Sequence, residues 1–329
     1  MTARTELVRT EGLTREYRVG GHNPLRRRQV LRAVTDVSVT LAAGETLGIV
    51  GESGCGKSTL AGMISGMVAP TAGRIELLGR DLSGLSRRDL RQVRREVQLV
   101  HQDPYTSLDP RMTIAQIVAE PLHIHGDVVP RRQRRSAVLE LLEMVGLNPD
   151  HADRLPHQFS GGQRQRVGIA RALSLRPKVV VCDEPVSALD VSVQAQIINL
   201  LLRLQHELDL AYLFISHDLS VVSHVSDRVA VMYLGRIVER GATDEVEAQP
   251  AHPYTEALLN AVPVPDRSHR PDPRARIKGE PPSPLRPPSG CGFRTRCPYA
   301  EAICEDRRPD LGRLGEKDHE TACHLPLIS

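Results

Sequence analysis

Short apolar runs alternate with amphipathic segments along the first 240 residues of the chain. Apolar runs and alternating apolar positions predict strands at 5–19, 30–41, 46–50, 178–183, 211–216 and 228–234. Helical periodicity predicts helices at about 57–66, 161–175, 191–208 and 218–226, with further helical character through 112–146. The continuous run KVVVCD at 178–183 is typical of a strand buried in a parallel sheet. Strands that alternate with helices indicate an α/β core.

The last 89 residues differ in composition from the rest of the chain. They contain 14 of the 24 prolines, and the stretch 263–290 is too rich in proline for a regular helix or a central strand. The length of 329 residues allows two domains. We therefore predict a compact domain over 1–240 and a loop-rich, Pro/Cys-rich extension over 241–329, which we call the C-terminal extension.

Composition and charge exclude several classes of protein. A hydrophobic fraction of 40% and a charged fraction of 25% are ordinary for a folded soluble protein and exclude general disorder. We expect neither a membrane span nor a secretory signal, because the chain lacks an apolar run of roughly 20 residues and its N-terminus lacks an apolar core. The net charge of +3, from 43 basic and 40 acidic residues, is too balanced to indicate a nucleic-acid partner.

The segment GESGCGKST at 51–59 lies between a predicted strand and a predicted helix. It matches the pattern G-x-x-x-x-G-K-[ST], in which glycines let the backbone wrap closely around phosphates at a helix N-terminus. Only four residues of the chain are lysines, so Lys57 requires a specific reason for its presence. Its ammonium group can reach the β- and γ-phosphates of a nucleotide, and the Ser58 hydroxyl can bind Mg²⁺.

Two further motifs carry complementary chemistry. The apolar segment VVVCDEP at 179–185 places Asp183 at the carboxyl end of a strand, where it can hold Mg²⁺ through water. Glu184 can polarise an attacking water as a general base. The segment FSGGQRQR at 159–166 opens a helix with Ser160 as N-cap, and it forms a second phosphate-binding helix end. Since one γ-phosphate does not need two such sites, this motif indicates another nucleotide, or a nucleotide bound by another chain.

Together these residues resemble the ATP-binding cassette (ABC) family. GESGCGKST resembles its Walker A motif, VVVCDE at 179–184 its Walker B motif, and FSGGQ at 159–163 its signature motif, with Phe159 where leucine is commonest. SALD at 187–190 is similar to the D-loop. The resemblance implies a P-loop NTPase fold with a RecA-like core, an antiparallel β subdomain and a helical subdomain at about 105–175. It implies ATP and Mg²⁺ as cofactors and ATP hydrolysis as the activity.

The resemblance also implies roles for individual residues. Gln102 matches the Q-loop glutamine, His217 the switch histidine and Tyr17 the aromatic residue that stacks on adenine. Catalytic roles then fall to Glu184, His217 and Gln102, and Mg²⁺ contacts to Ser58, Gln102 and Asp183. The remaining residues implied to bind nucleotide are Gly51, Ser53, Gly54, Gly56, Lys57 and Thr59. The signature residues Ser160, Gly161, Gly162 and Gln163 would contact ATP held by a second cassette, so the chain would work as a cassette dimer.

Several stretches are similar to the ATPase subunits of dipeptide/oligopeptide importers; they lie at 103–122, 182–201, 252–263, 290–311 and 321–325. This resemblance implies a peripheral, energy-coupling subunit at the cytoplasmic face of the inner membrane. Its partners would be a second ATPase subunit, two membrane permease subunits docked near 103–122 and, indirectly, an extracytoplasmic solute-binding protein. Two alternatives stay open: import of nickel or another small solute, and a soluble ABC ATPase with a redox- or metal-sensing tail.

Four of the six cysteines lie in the C-terminal extension: Cys291, Cys297, Cys304 and Cys323. Four thiolates in a reducing compartment indicate a metal or iron–sulfur site, although their spacing is not that of a zinc ribbon. Resemblance to relatives with this tail implies a [4Fe–4S] cluster. The alternatives are Zn²⁺, with His319 or His324 as substitute ligands, and free thiols packed in a small core.

Overall fold

A computed structural model describes residues 4–20, 29–103, 105–261, 277, 279–315 and 318–328. The chain forms two compact units, each made of several segments. The first contains Met1–Val8, Leu41–Glu45 and Glu76–Ile215, and the second contains Arg9–Thr40, Thr46–Ile75 and Ser216–Ser329. The division predicted above, with a C-terminal extension from residue 241 and a helical subdomain at about 105–175, stays a prediction.

The strands and helices follow one another along the chain in an α/β pattern. The strands are β1 (Glu6–Val19), β2 (Gln29–Val37), β3 (Thr40–Ala42), β4 (Thr46–Val50), β5 (Ala72–Leu77), β6 (Arg80–Asp81), β7 (Val97–Val100), β8 (Val179–Asp183), β9 (Ala211–Ser216), β10 (Arg228–Tyr233), β11 (Arg236–Ala242), β12 (Gly312–Arg313) and β13 (Glu320–Thr321). The helices are α1 (Lys57–Ile64), α2 (Arg87–Glu96), α3 (Ile114–Ile124), α4 (Arg134–Met144), α5 (Gly161–Leu173), α6 (Val191–Leu208), α7 (Leu219–Val225), α8 (Thr243–Ala248), α9 (Pro253–Asn260) and α10 (Ile303–Asp306).

A parallel sheet lies at the centre of the first unit. Strand β8 pairs in parallel with β7 on one side and with β9 on the other. Val179 to Cys182 and all of β9 are buried, as continuous apolar runs in a parallel sheet require. Helix α3 begins at a capping box formed by Thr113 and Gln116, and it packs against α4 and α5.

Strands of both orientations meet in the second unit. Strand β10 pairs in parallel with β4 and antiparallel with β11, which in turn pairs with β13, and β13 with β12. All five residues of β4 are buried, so the loop that follows it starts from a fixed position. Strands β1 and β2 form an antiparallel pair from Leu13↔Val37 to Val19↔Gln29, with register shifts on either side of Arg15.

Most predicted elements are confirmed, and the differences have local causes. Strands β4 and β9 and helix α6 have the predicted bounds. The helical segment 112–146 divides into α3 and α4, because Gly126 and Pro130 interrupt it. The sequence pattern did not predict β5, β6, α2, β7, β11, α8, α9, α10, β12 or β13. In α2 only Val93 is buried, which leaves almost no apolar periodicity. Residues 279–290 contain neither helix nor strand, as predicted, while 262–276 and Lys278 lie outside the described residues.

Candidate nucleotide-binding site

The loop 51–56 connects β4 to α1 and needs glycine at its two ends. A Cβ at Gly51 would lie 2.1 Å from the backbone oxygen of Met232. A Cβ at Gly56, where φ is 111°, would lie 2.1 Å from the backbone oxygen of Ala33. Larger residues would therefore push the loop away from the strands beneath it. Gly54 is exposed with φ of 80°, so the outer surface of the loop is open backbone that a ligand can approach closely.

The side chain of Lys57 folds back over this loop. Its Nζ donates hydrogen bonds to the backbone oxygens of Gly51, at 2.6 Å, and Glu52, at 3.1 Å, and the residue is only 4% exposed. In the described residues no side chain caps α1. Ser58 and Thr59, in the first turn of the helix, are exposed and half-buried, and Ser53 in the preceding loop is exposed. An ammonium group beside an uncapped helix N-terminus is suited to bind phosphate.

Two acidic residues lie at the carboxyl end of β8 in the first unit. Asp183 ends the strand and is half-buried, and Glu184 follows with a left-handed backbone, φ 47°. Gln102, which follows β7, donates from Nε2 to Oε2 of Glu184 at 3.0 Å. Backbone strain at a buried carboxylate is typical of catalytic positions, where the surrounding structure holds the residue in place. The structure therefore brings together Gln102 and Glu184, which the sequence analysis had assigned to the same chemistry.

The signature segment begins α5 as predicted. Ser160 accepts a hydrogen bond from the backbone of Gln163, and the Gln163 side chain accepts one from the backbone of Ser160, which completes a capping box. Ser160 is exposed. Phe159, where the family usually has leucine, is 5% exposed and packs edge-on against His151, so it serves as an apolar anchor for the helix start. A Cβ at Gly162 would lie 2.5 Å from Cγ1 of Val193.

The two remaining nucleotide-site candidates lie in the second unit. His217 is exposed and follows β9, and the next residue, Asp218, caps α7 through Ser220. Tyr17 lies in β1 opposite Leu31, and the guanidinium of Arg15 lies 4.5 Å from the centroid of its ring. One face of the Tyr17 ring is thus already covered by a cation.

The four cysteines of the C-terminal extension line one small pocket, together with Tyr299 and His324 among other residues. Burial raises the pKa of the Cys297 and Cys323 thiols to about 11 and also raises the pKa of Cys291. Within the residues that the structure describes, no group of three or more His, Cys, Asp or Glu side chains is arranged to hold a metal ion. His319 instead bonds Glu239, at 2.7 Å, and His324 bonds the backbone oxygen of Arg307.

The loop 51–56 has two partners that no sequence motif indicates. Arg296 donates two hydrogen bonds to the carboxylate of Glu52, at 2.8 and 2.9 Å, and Tyr254 Oη accepts one from the Glu52 backbone, at 2.8 Å. Both partners belong to the C-terminal extension. No local motif marks them, since Arg296 is 244 positions away from Glu52 along the chain.

Comparison with known proteins matches these motifs to families. The model of the ABC transporter family matches residues 34–187, and that of the oligopeptide/dipeptide transporter C-terminal region matches residues 238–304. A probable peptide ABC transporter ATP-binding protein, y4tS of Sinorhizobium fredii, is 51% identical over 97% of this chain and 90% of its own length. The chain belongs to the ABC transporter family. It is an ABC-type ATPase, and its α/β fold is the ABC cassette form of the P-loop NTPase fold.

Two other relatives and one solved structure agree with this assignment. The oligopeptide transport ATP-binding protein OppF of Salmonella typhimurium is 53% identical over 90% of this chain and 88% of its own length. The di/tripeptide transport ATP-binding protein DppF of Pseudomonas aeruginosa is 49% identical over 95% of each chain. A solved dimeric post-hydrolysis state of the ATP-binding cassette MJ0796, bound to ADP and Pi, matches 72% of this ABC ATPase and 99% of its own chain, with a TM-score of 0.64 and 29% identity.

Proposed function

We propose that this ABC ATPase is the energy-coupling subunit of an importer for di- and oligopeptides. The observation that supports this most directly is the presence in one chain of the ABC transporter model and the oligopeptide/dipeptide transporter C-terminal model. Relatives about 50% identical carry names of peptide-transport ATP-binding proteins. In this proposal residues 1–240 are the cassette, with a helical subdomain at about 105–175, and 241–329 are the C-terminal extension.

ATP and Mg²⁺ are the cofactors that the nucleotide motifs fit. The loop from Gly51 to Gly56, with Ser53 and Gly54 on its open face, would surround the phosphates, and Lys57 would neutralise their charge. Ser58, Gln102 and Asp183 would hold Mg²⁺, and Thr59, which follows Ser58 in α1, would contact the nucleotide. Tyr17 would stack on adenine through the ring face that Arg15 leaves uncovered. Bound ATP supplies a phosphoanhydride bond whose hydrolysis releases free energy.

Glu184 is the general base in this proposal. Its carboxylate would accept the proton of the attacking water, and the Gln102 amide that bonds it would orient it. His217 would orient the same water and bond the γ-phosphate. The buried, strained position of Glu184 favours a fixed orientation for this proton transfer.

A second cassette completes the site. The chain contains the signature residues Ser160, Gly161, Gly162 and Gln163 once. The helix start that they form is capped, and its N-cap Ser160 is exposed, so it is suited to bind phosphate from outside the chain. We infer a dimer in which each signature segment contacts ATP on the partner's Walker A loop. The partner is either a second ATPase subunit or another copy of this chain.

The permease subunits are the other partners in this proposal. Of the stretch 103–122, the inner face of α3 is buried against α5, and Pro104 lies outside the described residues. The segment 105–111 before α3 contains several exposed residues, among them Tyr105, which is 56% exposed and has Arg164 stacked on its ring. This segment would dock against one of the two permease subunits at the cytoplasmic face of the inner membrane. Among the described helices, none has the length and apolar character of a membrane span.

The catalytic part of the proposal is tested by the substitution Glu184→Gln. We expect MgATP affinity within about 3-fold of wild type and a fall in ATP turnover of at least about 100-fold, since removal of a general base typically costs that much. Glu207→Gln is the matched control, because Glu207 is an exposed residue paired with Arg203 on α6. Undiminished turnover in Glu184→Gln would exclude Glu184 as the base.

The transport part requires a test in cells. Uptake of a radiolabelled tripeptide should fall when the gene is deleted and recover with the wild-type chain but not with Glu184→Gln. Unchanged peptide uptake in the deletion strain, with lost nickel uptake, would contradict peptide import and favour the metal substrate.

The four-cysteine cluster carries a separate proposal, that of a [4Fe–4S] cluster with a structural role. Its support is the convergence of four thiols on one pocket. Because burial raises the pKa of Cys291, Cys297 and Cys323, metal binding would have to displace the protons of these thiols. Anaerobically purified protein should contain about four irons and matching sulfide per chain, with a visible band near ~400 nm. Zinc instead of iron, or neither metal, would contradict the proposal. The control variant Cys182→Ala, which removes a buried thiol of β8 outside the C-terminal extension, should keep the metal content of the wild type.

A further inference from the structure

Glu52 connects the C-terminal extension to the phosphate-binding loop through three of its own groups. Its carboxylate accepts two hydrogen bonds from Arg296. Its backbone N–H donates to Tyr254 Oη, and its backbone oxygen accepts a hydrogen bond from Lys57 Nζ. The extension therefore holds Glu52 through its carboxylate and its backbone N–H, and Glu52 in turn holds Lys57 through its backbone oxygen.

The two side chains by which the extension holds Glu52 are themselves fixed by their surroundings. The side chain of Arg296 is 6% exposed, and its paired bonds to Glu52 have the geometry in which Arg–carboxylate hydrogen bonds are strongest. Tyr254 is completely buried and packs against Tyr233 and Phe293, with ring centroids 4.7 and 5.4 Å away. Since aromatic packing fixes the Tyr254 ring, its hydroxyl can hold the Glu52 amide in one place.

The segment that carries Arg296 is also the segment that carries two of the cysteines. Arg296 directly precedes Cys297, and its backbone N–H bonds the oxygen of Phe293 at 2.9 Å. The backbone N–H of Cys291 bonds the oxygen of Cys304 at 2.8 Å. A change at the thiols that moved 291–297 would therefore move the guanidinium that holds Glu52.

We propose that Arg296 and Tyr254 are positioning residues that set the ATP affinity of this ABC ATPase by fixing Glu52, and hence Lys57, in the phosphate-binding loop. This inference rests on the proposed binding of ATP at 51–59. It assigns the extension a function in nucleotide binding that is separate from any role in docking or metal binding. Neither residue touches ATP in this proposal, and both act through Glu52.

The test compares MgATP dissociation constants with melting temperatures for four single variants of the full-length chain. Arg296→Met removes the ion pair, Arg296→Lys keeps the charge but not the paired geometry, and Tyr254→Phe removes only the hydroxyl. We expect affinity to fall about 10-fold in Arg296→Met and by a smaller factor in the other two, as for lost hydrogen bonds to charged or buried groups. Arg294→Gln is the matched control, since Arg294 lies two residues away and bonds Ser289 and Glu305; its affinity should equal wild type.

A purely structural role makes different predictions. It would lower the melting temperature or the fraction of binding-competent protein while leaving the dissociation constant of the folded fraction unchanged. A dissociation constant for Arg296→Met within 2-fold of wild type, or an equal loss in Arg294→Gln, would overturn the inference. If Arg296→Met does not fold, Arg296→Lys and Tyr254→Phe decide the question by the same criterion.

A double-mutant cycle adds a direct measure of the contact. When Glu52→Gln is combined with Arg296→Met, the two losses of affinity should be strongly non-additive, because each variant alone already breaks the pair. Additive losses would contradict action of Arg296 through Glu52. Wild-type protein that does not bind MgATP would contradict the proposed function itself, whereas normal wild-type binding with unaffected variants contradicts this inference alone.

Discussion

At the scale of single residues, buried charges are placed where several donors converge. Glu239 in β11 is completely buried, and its carboxylate accepts hydrogen bonds from the backbone of Ala251 at 2.7 Å and of His252 at 2.9 Å. His319 contacts the same carboxylate at 2.7 Å. Glu239 thus links the two residues before α9 to the residue before β13. A carboxylate removed from water is stabilised only when such partners surround it.

The contacts of Glu239 predict a large effect of a small change. Glu239→Gln keeps the size of the side chain but replaces one acceptor oxygen by an NH₂ group that faces donors. We expect the free energy of unfolding to fall by about 2–4 kcal/mol, because buried donors are left without an acceptor. Urea denaturation followed by far-UV circular dichroism measures it, with the exposed Glu247→Gln as control. A loss below about 1 kcal/mol would show that the carboxylate is dispensable.

At the scale of elements, helices α5 and α6 approach closely at a glycine. A Cβ at Gly162 would lie 2.5 Å from Cγ1 of Val193, whereas a Cβ at Gly168, on the same helix α5, would meet nothing within 4 Å. In a helix, alanine is more favourable than glycine by about 1 kcal/mol. Substitution at Gly168 therefore measures helix propensity alone, whereas substitution at Gly162 also measures packing against Val193. The glycine of the signature segment is therefore required by the neighbouring helix as well as by the ligand it is proposed to bind.

We predict opposite effects of alanine at these two positions. Gly168→Ala should stabilise the protein by up to about 1 kcal/mol, while Gly162→Ala should destabilise it by about 1–3 kcal/mol through the clash. The double variant Gly162→Ala, Val193→Ala should recover most of that loss, because it removes the clashing methyl group. Thermal unfolding of the four proteins, including Val193→Ala alone, tests this. A stable Gly162→Ala would mean that α6 moves away at little cost.

Elements with a strong local pattern are the ones that sequence predicts. The apolar run of β8 with Asp183 and Glu184 at its end, and the N-cap Ser160 at the start of α5, both appear where predicted. Strand β5 was missed because three of its six residues, Ala72 to Arg74, are exposed and carry no apolar period. The left-handed backbone of Glu184 was also unpredictable, since a carboxylate at that position has no sequence preference for it.

At the scale of the whole chain, the contacts that sequence could not predict are those between distant segments. Arg296 and Tyr254 reach Glu52 from more than 200 positions away, and nothing in their local sequence distinguishes them from other arginines and tyrosines. The glycine–lysine pattern predicts what the loop binds, but the support of that loop is set by tertiary packing. The sequence therefore predicts the residues of the candidate site more completely than it predicts the distant residues that support them.

Thermodynamic linkage extends the contact between Glu52 and the extension into a prediction for the whole chain. If the extension raises ATP affinity by fixing the loop, then bound ATP must stabilise the extension by the same free energy. We expect amide hydrogen exchange in 291–297 to slow about 10-fold when wild-type protein binds a non-hydrolysable ATP analogue, matching the loss of affinity expected for Arg296→Met. In Arg296→Met, saturated with the analogue, exchange in this segment should respond little. Equal protection in both proteins would show that the extension senses nucleotide by another route, and unchanged exchange in both would show that it does not sense nucleotide.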